Sequence, residues 1–155
     1  MYKTRKEEYV NLLNELRRLA QKANYSDKLL RIIIDRLLRK YSEERPPRFI
    51  SKKVLEEAMK LNLKLVIKKH GDILPIRRQG LKIMFEHVEP INQLVTLVIN
   101  DNGDMNALLD RNIVAIIMKS EDQLLDEKHR YNRGENPLET YASLGIELVE
   151  YELDG

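Results

Sequence analysis

Two amphipathic helical patterns occupy the first 45 residues, and the Pro46–Pro47 pair ends them. Apolar residues recur at three- and four-residue steps from Tyr9 to Ala20, and again from Leu30 to Tyr41. Such spacing places the apolar side chains on one face of a helix. Consecutive prolines cannot continue a helix, and they bias their neighbours toward extended backbone. The sequence therefore predicts a helical hairpin over residues 1–45, followed by a soft boundary.

Residues 46–155 contain shorter patterns, some typical of helices and others typical of strands. Ser51 is placed to cap a short helix from Lys52, whereas the stretch LNLKLVIKK fits either a strand or a continuation of that helix. The remaining expectations are a strand, a turn and a strand in ILPIRRQGLKIMFEHV, helices in INQLVTLVIND, MNALLDR and PLETYASL, and strands in IVAIIM and IELVEYEL. Ser120 and Gln123 have the spacing of a capping box that opens the helix EDQLLDEKH. We therefore expect an α+β fold, in which an N-terminal helical hairpin (residues 1–45) and a small mixed sheet with short helices (residues 46–155) form one compact unit.

Composition excludes several classes of protein. The chain has 155 residues and no cysteine, which rules out disulfides, thiolate catalysis and cysteine-based zinc sites. It has no apolar run of eighteen residues and no basic leader followed by an apolar segment. These patterns predict no membrane partner and a cytoplasmic protein.

Charge is divided between the two halves of the chain. Residues 1–80 hold 21 Lys and Arg against 10 Asp and Glu, a net charge of +11, whereas residues 81–155 hold 6 against 15, a net charge of −9. One interpretation is that the two halves attract each other within the fold. The other is that the basic half contacts phosphates and the acidic half holds a metal or a basic partner.

Three histidines are candidates for acid–base chemistry. His129 lies late in a charged helical pattern, where a cation favours the helix C-terminus, and His70 precedes Gly71 in a predicted turn. His87 ends the predicted strand in FEHVEP, and Pro90 then turns the chain away. The end of a strand is a common place to present a catalytic group, so His87 is the strongest of the three.

The order of residues from FEHVEP to RNIVAIIMKSEDQLLDEKHR resembles the HNH, or His-Me finger, family of nucleases. In that family a strand ends in an acid–histidine pair, an asparagine opens a second strand, and a helix with a ligand in its first turn follows. The matching positions here are Glu86–His87, Asn112, and Glu121 or Asp122. The resemblance covers residues 80–130. The first residue of the pair is Glu instead of Asp, the last position is acidic instead of His or Asn, and the interval before Asn112 is longer than usual.

The resemblance implies a catalytic role for each of these residues. His87 would be the general base that takes a proton from the attacking water, and Asn112 would orient its imidazole. Glu86 with Glu121 or Asp122 would ligate one Mg²⁺ or Mn²⁺ ion, for which carboxylates are suitable ligands. Acidic residues in the first turn of a helix also have a structural explanation, because they interact favourably with its dipole.

The basic half offers residues for a nucleic-acid partner, and DNA is the expected one. The candidate phosphate contacts are Arg45, Arg48, Lys68, Lys69, Arg77 and Arg78. Nine aromatic residues occur and none alternates with the basic runs, so stacking of single-stranded bases is not indicated.

Two functions from different classes follow from these patterns. The first is a small metal-dependent endonuclease that hydrolyses phosphodiester bonds in DNA, as a component of a defence system or a mobile element. The second is a non-catalytic adaptor, either a degenerate nuclease fold that binds nucleic acid or a module whose residues 1–45 pair with a protein partner or a second copy of the chain.

Overall fold

The computed structural model describes residues 2–22, 26–129 and 133–153, with side chains from residue 5 onward. It confirms the α+β class, with an N-terminal helical hairpin and a small mixed sheet. The chain forms two compact units: unit 1 contains residues 1–41 and 91–112, and unit 2 contains residues 42–90 and 113–155. The boundary predicted at residue 46 differs from this division, because residues 91–112 join the N-terminal helices in unit 1.

Unit 1 is helical. Its elements are α1 (Tyr2–Gln21), α2 (Asp27–Glu43, which extends two residues into unit 2), α5 (Ile91–Asn100) and α6 (Met105–Asp110). The apolar stripes predicted for α1 and α2 supply Leu13, Ile34 and Leu38 to one buried core. The buried guanidinium of Arg17 donates to the carbonyl oxygens of Val98 and Gly103, at 2.7 Å each. Arg17 therefore pairs with backbone acceptors in the last turn of α5 and in the loop that follows it.

Unit 2 is a four-stranded sheet with helices on both faces. Its elements are β1 (Phe49–Ser51), α3 (Lys52–Lys60), α4 (Ile73–Arg78), β2 (Ile83–His87), β3 (Val114–Met118), α7 (Lys119–His129), α8 (Pro137–Ser143) and β4 (Leu148–Glu150). The strand order is β2-β3-β1-β4, with β1 parallel to β3 and the other two pairs antiparallel. The buried apolar residues of unit 2 form two core clusters. One cluster includes residues of α3 and α4, and the other includes residues of α7 and α8.

Two expectations for local structure in unit 2 were wrong. The strand expected at ILPIRR is α4, in which Ile73 and Ile76 are buried at helical spacing. Pro75 is tolerated there because it lies in the first turn, where no backbone donor is needed. The stretch LNLKLVIKK is neither a strand nor a continuation of α3, since α3 ends at Lys60.

The start of α7 also differs from the capping box expected at Ser120. The helix begins at Lys119, so Ser120 lies inside it and Glu121 is its third residue. The Glu121 carboxylate accepts the backbone N–H of Met118, the residue before the helix, at 2.9 Å. That contact is the acidic half of a capping box, formed two residues earlier than the sequence pattern indicated.

Candidate active site

The end of β2 presents its last two residues to opposite faces of the sheet. Side chains alternate along a strand, and the contacts of β2 follow this rule. Met84 and Val88 pack in the core cluster beside α7 and α8, whereas Phe85 packs in the cluster beside α3 and α4. Glu86 therefore points to the α7 face, and His87 points to the face that carries Phe85.

On the α7 face, Glu86 forms an ion pair with Arg133. The two groups approach to 2.6 Å, and the side chain of Arg133 is 3% exposed while that of Glu86 is 21% exposed. Arg133 also donates to the carbonyl oxygen of His87 and, at 3.1 Å, to the hydroxyl of Tyr141. A buried guanidinium needs such a full set of acceptors, because an unpaired buried charge is costly. Arg133 thus joins the end of β2 to α8.

Asp122, in the first turn of α7, is a neighbour of the Glu86 carboxyl group. Burial raises the pKa of Glu86 to about 7, against the opposing effect of Arg133, and the neighbouring Asp122 raises it further. With a pKa of about 7, the Glu86 carboxyl group keeps its proton in part of the molecules at neutral pH, and a cation could take the place of that proton.

His87 has a different set of neighbours. Its Nε2 atom lies 2.8 Å from the hydroxyl oxygen of Ser42, at the C-terminal end of α2 and within unit 2. Its ring meets the Phe85 ring edge-on at a centroid distance of 6.4 Å, and His70 meets the same Phe85 ring at 4.9 Å. These contacts hold the imidazole of His87 at the end of the strand, on the side away from Glu86.

Two of the predicted site residues, Glu121 and Asn112, form hydrogen bonds with residues outside the predicted site. Glu121 is buried, and it accepts a hydrogen bond of 2.6 Å from Ser51 in addition to the Met118 amide. Asn112 belongs to unit 1, where its amide nitrogen donates to the carbonyl oxygen of Leu38 at 2.7 Å. Of the two acids proposed as ligands in α7, the structure brings only Asp122 to Glu86.

The predicted phosphate-contacting residues are mostly at the surface of unit 2. Arg48, Lys68, Lys69 and Arg78 are exposed, and Arg45 is half-buried. Arg77 differs, because its guanidinium donates to the carbonyl oxygen of Ile83 at 2.7 Å and to the sulfur of Met84. Arg77 therefore contributes to the packing of α4 against β2.

The donor set can be tested against the metal that the resemblance implies. Among the described residues, no group of three or more His, Asp or Glu side chains is placed to hold an ion. Glu86 and Asp122 together form a set of two carboxylates. Mg²⁺ commonly binds one or two carboxylates and completes its shell with water and substrate phosphates. The pair fits that mode of binding, with Arg133 competing for Glu86.

Sequence reasoning missed Arg133, Tyr141 and Ser42. Arg133 stood in a predicted loop, NRGEN, of which Asn132 lies outside the described residues. The signal that could have found Arg133 is its position as the last Lys or Arg of the chain, directly before an acidic segment, residues 134–155. Nothing in the sequence distinguished Ser42 or Tyr141 from other residues at the ends or on the buried faces of helices.

Comparisons with known proteins add no family. No protein-family model matches the chain, and no curated protein or solved structure is similar to it at a significant level. A separate property concerns membranes: none of the helices in the described ranges is both long enough and apolar enough to cross a bilayer.

Proposed function

We propose that the protein is a small endonuclease that hydrolyses phosphodiester bonds in DNA in the cytoplasm, with Mg²⁺ or Mn²⁺ held by Glu86 and Asp122. The observation that carries the proposal is the carboxyl pair formed by Glu86 and Asp122, one residue away from His87. The order of elements supports it too: β2 and β3 are antiparallel, and α7 follows β3 directly. The resemblance to HNH nucleases implies the same order of strand, strand and helix.

The side chains of Glu86 and His87 leave β2 on opposite faces, so both can act on one substrate only if that substrate lies across the end of the strand. In this arrangement the attacking water loses a proton to His87 as its oxygen bonds to phosphorus, and the bond from phosphorus to the leaving oxygen breaks. The leaving oxygen takes a proton from solvent.

A divalent cation at Glu86 and Asp122 would neutralise charge on the non-bridging phosphate oxygen and the leaving group. Glu86 must lose its proton before it can act as a ligand. Its raised pKa of about 7 therefore predicts that metal binding strengthens as the pH rises through neutrality.

The test is nicking of supercoiled plasmid with Mg²⁺ or Mn²⁺ by the wild type and two matched pairs of variants. We expect His87→Ala to lower the rate about 100-fold or more, the usual contribution of a general base, while His129→Ala retains it. Asp122→Asn should lower the rate, while Asp126→Asn, exposed on the same helix, should not. Equal activity of correctly folded His87→Ala and wild type would refute the catalytic role.

The ion pair between Arg133 and Glu86 favours a second candidate. In a nuclease fold retained only for binding, a guanidinium can permanently occupy the position of the metal, and the protein then acts as a non-catalytic nucleic-acid or protein adaptor. Calorimetric titration with Mn²⁺ above pH 7 separates the two functions. Binding that Asp122→Asn abolishes supports the nuclease, whereas absence of binding together with absence of nicking supports the adaptor.

A further inference from the structure

Unit 1 has a groove lined by its own residues. It runs between α2 and α5, has a volume of about 740 Å³, and is open to solvent along α2. Four cationic side chains of α2 line the groove: Lys28, Arg31, Arg36 and Arg39. Lys28, Arg36 and Arg39 are exposed, and Arg31 is half-buried with a hydrogen bond of 2.9 Å to Thr96.

Two acids in the same groove reduce but do not cancel this charge. Asp35 forms an ion pair with Arg39, with 2.7 Å between the carboxylate oxygen and Nε. Asp27 is the first residue of α2, where a negative charge interacts favourably with the helix dipole. Four cations against two acids leave the lining with a net charge of +2. The groove therefore attracts an anionic ligand.

The shape of the cation row selects the class of anion. Residues 28 and 39 are eleven positions apart, which spans about 17 Å along a helix. A row of that length is several times the axial spacing of phosphates in a duplex strand, so a polyanion can meet more of its cations than a single small anion can. A peptide helix would need several apolar anchors in the groove, yet its apolar lining consists of Ile32 and Val95.

We propose that the α2–α5 groove of unit 1 binds the sugar–phosphate backbone of duplex DNA. This inference rests on the proposed function for the identity of the polymer, and it adds a binding surface made of residues that the sequence pattern did not single out. The contacts carry no base information, since they are made to phosphates. Binding is therefore expected to be independent of DNA sequence and strongly dependent on salt.

The experiment measures fluorescence anisotropy of a labelled duplex with the full chain in the presence of a chelator, over a series of salt concentrations. No cleavage is needed, so an inactive nuclease site leaves the measurement intact. Each lost phosphate contact should lower the slope of log Kobs against log salt by about 0.9. Lys28→Gln with Arg36→Gln should thus reduce the slope by about 2 and weaken binding to unrelated duplexes equally.

The matched control is Lys22→Gln, an exposed cation of unit 1 outside the groove. It should change neither the slope nor the affinity beyond the loss of one distant charge. An equal effect of Lys22→Gln and the groove variants would overturn the proposal, because any surface cation would then serve. Binding of a labelled acidic amphipathic peptide, lost in the groove variants while DNA binding persists, would instead assign the groove to a protein.

Discussion

The hydroxyl group of Ser51 donates a hydrogen bond of 2.6 Å to the carboxylate of Glu121, and both side chains are buried. The same hydroxyl accepts the backbone N–H of Val54 at 3.2 Å, which caps α3. The same carboxylate oxygen accepts the backbone N–H of Met118, which caps α7. One pair of side chains thus satisfies donors at the beginning of two helices that follow neighbouring strands of the sheet.

Removal of this shared cap should destabilise unit 2. We expect Glu121→Ala to lower the free energy of unfolding by about 2 kcal/mol, because buried donors lose a charged acceptor. Asp126→Ala, on an exposed position of the same helix, should stay within about 0.5 kcal/mol of wild type. Urea-induced unfolding followed by circular dichroism measures both variants. Wild-type stability of Glu121→Ala would mean that the carboxylate has another role.

The pair formed by Arg133 and Glu86 should be strongly coupled. Arg133→Ala leaves Glu86 partly buried beside Asp122 without its cation, and a loss of about 3 kcal/mol or more is expected. Arg133→Ala combined with Glu86→Gln should recover part of that loss, because a glutamine at this position needs neither a cation nor a bound proton to be buried beside Asp122. The measurement is a double-mutant cycle of unfolding free energies at neutral pH, with Arg78→Ala as the exposed control. Strictly additive effects would contradict the coupling.

Stability should depend on pH through Glu86. Its pKa is raised from 4.5 to about 7, so the folded chain binds this proton more tightly than the unfolded chain does. The resulting stabilisation is fully present below pH 4.5 and is lost as the pH rises through about 7, with a total of up to about 3 kcal/mol. Glu86→Gln should flatten this part of the profile, whereas Glu127→Gln on the exposed side of α7 should keep it. Unfolding free energies measured across this interval check the prediction, and a wild-type profile that rises with pH there would contradict it.

A substitution of Asn112 distinguishes its structural role from the catalytic role that the resemblance implies. Its amide donates to the Leu38 carbonyl, and its Oδ1 atom is buried with no hydrogen-bond partner among the described residues. Asn112→Ala should therefore lower the unfolding free energy by about 1 kcal/mol or more while leaving the nicking rate of the folded fraction unchanged. Nicking at a temperature well below the midpoint of unfolding tests this. Loss of nicking with unchanged stability would restore the role implied by the family.

Local pattern was sufficient for a large part of the fold. The stripes of α1 and α2, the buried run of β3 and the helix at PLETYASL are each encoded within a few turns of sequence, because helical and strand periodicity is a property of neighbouring residues. Local pattern failed for α4, where Ile73 and Ile76 fit a helix and a strand about equally well. Only packing against β2 and the irregular segment before α4 decides between them.

The sequence by itself determined the class of the fold, the positions of most helices and the identity of the chemically capable residues, Glu86 and His87 among them. The tertiary structure alone decided which of these residues meet. Arg133 reaches Glu86 across 47 positions of the chain, and Ser51 reaches Glu121 across 70. No short-range pattern records such pairs, because they form only when strands from distant segments align in one sheet. The alternation of β2 then sends two adjacent side chains to opposite faces, and that geometry governs what each can bind.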